Sequence, residues 1–215
     1  MAGCGMGSQH GRVQQVDFWF DPVCPYSWIG SRWLLEVTTH RRLQIRWHVM
    51  SLYLLNEHRT DDPSYVSHLR EVNGAARVAT AAAGHAGEPV LGDLYTAFGA
   101  RIFDDWRYAG GEECRAAMAA ALAEVGLPAD LVAAFDTEEH DAELRRSHDA
   151  AIALVGDECG TPVTRIDDPA LYGPILNSIP RGAAAIRVFD AMRLLSTVPD
   201  FYELKRTRTT APVFT

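Results

Sequence analysis

The segment Val16-Asp-Phe-Trp-Phe-Asp-Pro-Val-Cys-Pro-Tyr-Ser-Trp28 decides the fold. Val16 to Phe20 is short, apolar and aromatic, which suits a strand buried on both faces. Asp21-Pro22 ends it. Cys24-Pro25 then opens a helix, because proline's missing N–H would have no partner at the first helical position anyway. Ile29, Trp33, Leu34 and Val37 continue along one face of that helix. Beyond it, Leu43, Ile45, Trp47 and Val49 alternate with Gln44, Arg46 and His48, the period of a strand with one polar side. Strand, helix and strand within about 35 residues make a βαβ unit with a right-handed crossover.

Outward from this unit the strand signal vanishes between Asp61 and Val155. Cys114, Ala117, Met118, Ala121, Leu122 and Val125 form one helical stripe stopped by Gly126. Leu144, His148, Ala151, Ile152 and Val155 form another stopped by Gly156. Strand character returns at Val163 to Ile166, followed by an Asp167-Asp168-Pro169 turn and a short partner strand, Ala170 to Tyr172. Gly182 to Ser196 reads as a final amphipathic helix, with Ile186, Phe189 and Leu194 as core contacts. The pattern is an α/β fold in which residues 13–56 and 154–215 share one mixed sheet with helices on its faces. Residues 57–153 are a helical insertion covering one edge of that sheet.

Composition narrows the chemistry. The chain has 215 residues, of which 47% are hydrophobic and 22% charged, so it is globular rather than disordered. A formal net charge of −8 disfavours nucleic acid as a partner. The basic run Lys205-Arg206-Thr207-Arg208 reads as a solvated tail. No stretch approaches the roughly 20 apolar residues of a membrane span, and the Gly-rich start lacks the apolar core of a secretory signal. We therefore expect a cytoplasmic protein without a membrane partner. Nothing in the sequence fixes its oligomeric state. The four cysteines, Cys4, Cys24, Cys114 and Cys159, lie at no zinc-ligand spacing, so no metal is expected.

Of these thiols, Cys24 has the functional setting. At the N-cap of a helix its sulfur faces unpaired backbone N–H groups and the positive end of the helix dipole, which favour thiolate. Its pKa is therefore expected below the ordinary value, with the Asp21 carboxylate opposing. The plain alternative is a small buried apolar residue at a strand end. Gly160-Thr161-Pro162 enters the returning strand, and an X-Pro bond there is a candidate cis peptide leaving Thr161 backbone groups for an extended substrate. Cys159 is a candidate remote resolving thiol, although an ordinary loop residue is the better reading. Cys114 and His148 lie on apolar stripes and read as core. Asp104-Asp105 and Glu138-Glu139 read as solvated charges.

These segments resemble the DsbA-like branch of the thioredoxin superfamily, whose helical insertion separates two halves of the fold. More narrowly they resemble the actinobacterial mycothiol-dependent nitroreductase group. The resemblance rests on residues 17–28, on His48-Val-Met-Ser-Leu52 with Leu55-Asn-Glu57, and on Gly160-Thr-Pro162. It continues through Gly173-Pro174 with Ile179-Pro-Arg-Gly182 and through Phe201 to Arg208. It implies a thiol-disulfide oxidoreductase with Cys24 as attacking thiol and Pro162 as cis proline. It further implies mycothiol as thiol co-substrate and a disulfide or nitro-aromatic as second substrate. Pro25, Tyr26, Trp28, Asn56, Thr161 and Arg181 are the implied substrate contacts. The departure is Ser27, where relatives usually carry a second cysteine. A hydroxyl cannot resolve a mixed disulfide, so Cys24 would act as a lone thiol released by a second small thiol. Pro-Tyr-Ser-Trp is also similar to kappa-class glutathione transferases and their isomerase relatives. Transfer or isomerisation without redox turnover, and a non-catalytic binding module, stand as alternatives.

Overall fold

The computed structural model describes residues 13–58, 61–103 and 110–215. Its strands are β1 (Gln14–Phe20), β2 (Leu43–Val49), β3 (Val163–Ile166) and β4 (Ala170–Tyr172). Its helices are α1 (Pro25–Thr38), α2 (Leu52–Asn56), α3 (Pro63–Val72), α4 (Gly74–Ala86), α5 (Val90–Phe103), α6 (Gly111–Glu124), α7 (Asp141–Val155) and α8 (Gly182–Ser196), with a 3₁₀ segment at Ala129–Asp136. The sheet order is β2-β1-β3-β4. β1 pairs parallel with β2, Phe18 opposite Trp47, and antiparallel with β3, Phe18 opposite Thr164. β3 and β4 form a hairpin with Val163 opposite Tyr172. The parallel pair is the βαβ unit read from the sequence, with α1 as its crossover.

β1 is buried from Val16 to Phe20, an apolar and aromatic run interrupted only by Asp17. The two faces are covered by different parts of the chain. Val16, Phe18, Phe20, Trp47 and Val49 share a core with Trp33, Leu34 and Val37 of α1 and with Ala185, Phe189 and Met192 of α8. The Trp33 indole N–H donates to the Ala185 carbonyl at 3.0 Å and ties α1 to α8. On the opposite face, Trp19, Met50 and Val163 pack with Ala151, flanked by Ile152 and Val155 of α7. The helical block thus does more than cover an edge: α7 closes the second face of the sheet.

Leu194 departs from expectation, being 59% exposed. It lies five residues from Phe189, about 140° round the helix, while Ala185, Phe189 and Met192 keep the inward stripe. Asp17 is a charge on the α7 face of β1. Its carboxylate is gripped by both arms of Arg46 at 2.7 Å and by His48 Nε2 at 2.8 Å. These partners outweigh desolvation and hold its pKa below the usual value. No helix among the described residues is long and apolar enough to cross a membrane.

Candidate active site

Cys24 is the N-cap of α1 in extended conformation, and Pro25 takes the first helical position. The Trp28 N–H donates to the Cys24 carbonyl at 3.0 Å, so the first helical bond closes directly behind the thiol. The approach to the helix is braced by Asp21. One of its carboxylate oxygens accepts the Val23 N–H at 2.8 Å and the other the Leu52 N–H at 2.6 Å. Asp21 therefore fastens the turn before Cys24 to the start of α2. It is almost fully buried with no cation beside it among the described residues, and burial pushes its pKa up to about 6 against those two hydrogen bonds.

The returning chain meets the thiol from the other side. Thr161–Pro162 is cis. The Cys24 thiol donates to the Thr161 carbonyl at 3.5 Å, and the Ser27 and Thr161 hydroxyls share a hydrogen bond at 2.8 Å. A Cβ on Gly30 would lie 3.1 Å from the Phe18 ring and 3.4 Å from Pro162 Cγ, so the glycine lets α1 settle onto β1 and this loop. The loop is held from behind. Gly173 N–H donates to the Pro162 carbonyl at 2.7 Å, and the Thr164 hydroxyl donates to the Gly173 carbonyl at 2.6 Å. Cys24 and Thr161, 137 residues apart in sequence, are brought to one point by the antiparallel β1–β3 pair.

The structure corrects one electrostatic expectation. Cys24 is only 4% exposed, and burial pushes its thiol pKa above the ordinary value. The Thr161 and Ser27 hydrogen bonds oppose this, while the Asp21 charge adds to it. The helix N-terminus is where the sequence puts it, but desolvation of the sulfur outweighs it.

The remaining candidates divide. Tyr26 is half-buried beside Cys24. Trp28 is buried one turn on, stacked on Phe103 at 5.5 Å, edge-on to Tyr95, and covered by the Arg32 guanidinium at 4.0 Å. Its six-membered ring fills the space a side chain on Gly99 would need. The Trp28 Nε1 and the Tyr95 hydroxyl are both buried without a hydrogen-bond partner among the described residues. Asn56 ends α2 and spends an amide N–H on the Leu52 carbonyl at 2.7 Å, within the segment that Asp21 anchors. Arg181 is not brought to the thiol. It pairs with Glu36 at 3.2 Å, three turns or about 18 Å along α1 from Cys24. There it borders an open groove of about 400 Å³ with Trp28, Arg32, Glu36, Ile179 and Phe214.

Cys114 is buried core, its thiol pushed up to about 12 by burial. The Cys159 thiol donates to the Gly156 carbonyl at 3.1 Å. His148, a core histidine, accepts the Ser51 N–H at 3.4 Å, and burial pushes its pKa below the ordinary histidine value. Cys4 and Asp104-Asp105 lie outside the described residues. Sequence reasoning missed Tyr172, whose hydroxyl would be 3.0 Å from a Cβ on Gly160 and which feels Cys24. It also missed Arg208, which is exposed like the rest of its run, as a solvated tail requires, yet lays its guanidinium 5.1 Å from the centre of the Tyr26 ring. A tyrosine ending a strand and an arginine in a basic run carry no local signal of either contact.

Comparison with known proteins extends this picture. Residues 23–206 match the family model described as the mycothiol-dependent nitroreductase Rv2466c. An uncharacterised protein of Mycobacterium tuberculosis, Rv2286c, is 29% identical over 206 residues, covering 92% of this chain and 84% of that one. Among solved structures, a probable DsbA oxidoreductase from Streptomyces coelicolor superposes with a TM-score of 0.57 at 16% identity, covering 90% of this chain and 94% of that one. A 2-hydroxychromene-2-carboxylate isomerase gives 0.54 at 16%, covering 86% and 95%. Chlamydia trachomatis DsbA gives 0.54 at 13%, covering 86% and 89%. The fold is DsbA-like and thioredoxin-related.

Proposed function

We propose, since the chain belongs to the family of the mycothiol-dependent nitroreductase Rv2466c, that it is a thiol-disulfide oxidoreductase working through the single thiol of Cys24 with mycothiol as co-substrate. One observation carries this reading: the Cys24 sulfur lies at the start of α1 on the Thr161 carbonyl, with Ser27 hydrogen-bonded to the same residue. The Cys24 thiolate attacks one sulfur of a disulfide. That S–S bond breaks, a new one forms to Cys24, and the departing thiolate takes a proton from solvent. Ser27 has no sulfur with which to displace the adduct, so a second small thiol attacks it and restores Cys24. Two thiols oxidised to one disulfide release two electrons and two protons, enough to take a nitro group to nitroso with loss of water. This is how a nitro-aromatic would be reduced.

The Cys24 thiol donates a hydrogen bond to the Thr161 carbonyl, and burial raises its pKa, which works against forming the attacking thiolate. Pro25 shapes the helix start. Tyr26 and Thr161 border the sulfur, Pro162 sets the loop, and Trp28 and Asn56 hold the surrounding elements. Arg181 pairs with Glu36, along α1 from the sulfur. The test is mass spectrometry of the intact chain and of its peptides after exposure to oxidised mycothiol. One adduct, on Cys24, is expected. Binding of mycothiol with Cys24 unmodified would overturn the redox reading.

A further inference from the structure

The basic run near the C-terminus has no part in the sulfur chemistry above, yet its last member is held at the site. Arg208 stacks over Tyr26, two residues from Cys24. The chain just beyond it is clipped to Asn177, whose amide donates to Thr210 Oγ1 at 3.0 Å and to the Ala211 carbonyl at 3.2 Å. The Val213 N–H donates back to the Asn177 carbonyl at 2.7 Å. Tyr172 lies at the end of β4 against Gly160, in the loop that leads to Thr161. Burial raises the pKa of that phenol most, the Cys24 charge adds to the rise, and Arg208 eases it. Arg208 over Tyr26, and Tyr172 against Gly160, thus sit on the two segments that carry Cys24 and Thr161.

The guanidinium makes no hydrogen bond or ion pair with the described residues; its ring contact with Tyr26 is its one close partner there. A stacked guanidinium keeps its in-plane fork of donors, the arrangement that takes a carboxylate bidentately. The molecule as a whole carries a formal charge of −8. It therefore repels anions, and an anionic substrate needs a local cation to be held near Cys24.

We propose that Arg208 is a specificity-determining residue that receives a carboxylate on the disulfide presented to Cys24. This rests on Cys24 being the attacking thiol. The sulfur exchange is the one written above, and Arg208 orients the substrate without taking part in bond making.

The experiment uses the full chain at neutral pH and low salt with two disulfides. Dithiobis(nitrobenzoate) carries a carboxylate on each half, and dithiodipyridine carries none. Reactions are quenched in acid, and the adduct on the Cys24 peptide is followed by mass spectrometry. The readout is the ratio of the two rates. We expect Arg208→Ala to lower the carboxylate-to-neutral ratio about fivefold to tenfold and Arg208→Lys to lower it less. Added salt should shrink the ratio of the parent and leave that of Arg208→Ala nearly unchanged. Arg206→Ala removes the same charge from an exposed neighbour and should stay within about twofold of the parent. An unchanged ratio in Arg208→Ala, or an equal fall in Arg206→Ala, overturns the assignment while Cys24 still reacts. If Cys24 reacts with neither disulfide, the reading of Cys24 as nucleophile fails, and the Arg208 proposal falls with it.

Discussion

Asp21→Asn separates the electrostatics of the site from its geometry. In the native chain the carboxylate is buried, and its pKa rises from 3.8 to about 6. Each tenfold change in proton affinity is worth about 1.4 kcal/mol, so the rise corresponds to about 3 kcal/mol. The sign follows from which state holds the proton more tightly. The folded chain binds it more tightly, so the contribution is complete below about 3.8 and is lost as pH climbs through about 6. Asparagine has no charge to bury and no such dependence. It keeps one oxygen for either the Val23 or the Leu52 N–H and leaves the other unpaired, a cost of about 1–3 kcal/mol that does not vary with pH. The stability difference between variant and parent should therefore move by about 3 kcal/mol in favour of the variant from about pH 3.5 to about pH 7.5. With a urea slope of about 2–3 kcal/mol/M, the relative midpoint shifts by about 1–1.5 M. Urea unfolding of both proteins across this range is the assay, and contributions from other carboxylates cancel in the difference. A difference constant within about 0.5 kcal/mol would refute the claim that Asp21 is buried at a desolvation cost.

The same substitution should lower the pKa of Cys24, because burial and the Asp21 charge both raise it in the parent. Iodoacetamide alkylation of the Cys24 peptide against pH should show a midpoint above the ordinary thiol value that moves down in Asp21→Asn. An unshifted midpoint counts against electrostatic coupling of the two groups. Ser27→Cys places a second sulfur within one turn of Cys24 and should close a disulfide between the two positions, shortening the life of a mycothiol adduct that the Ser27 protein accumulates. Adduct mass against time decides this. Equal release from both proteins would point to another resolving thiol, with Cys159 the first to replace by serine. Gly99→Ala drives a methyl group into the six-membered ring of Trp28 and should cost about 1–3 kcal/mol or more. Gly84→Ala, exposed in α4 with nothing nearby, should gain about 0.5–1 kcal/mol. Urea midpoints measure the pair, and equal effects would contradict the packing around Trp28.

The elements around Cys24 are legible because each announces itself locally. A short apolar and aromatic run marks β1, a proline at the first helical position marks the start of α1, and strict alternation marks β2. Thr161-Pro162 is legible for the same reason. The hidden features depend on residues distant in the chain. No window of sequence shows that β3–β4 pairing carries Tyr172 over Gly160, or that Asn177 fixes the tail so that Arg208 meets Tyr26. The direction of the thiol pKa escapes sequence reasoning because a helix start is visible in sequence while the burial of its cap is not. Arg181 enters by resemblance alone; Glu36, which holds it, lies on the crossover helix at a position with no chemical signature. Leu194 reads inward on hydrophobicity, against its own helical angle.

The clip at Asn177 has a practical consequence for handling the protein. Phe214 is seated against Phe103 at 5.3 Å, in the groove that Trp28 borders, and Val213 is bonded to Asn177. Residues 210–214 thus act as a spacer of fixed length between that seat and Arg208. An insertion or deletion between Arg208 and Asn177's partners would shift the guanidinium along the chain while the seat stayed put, so kinetic constants belong to a chain whose length over this stretch is unaltered.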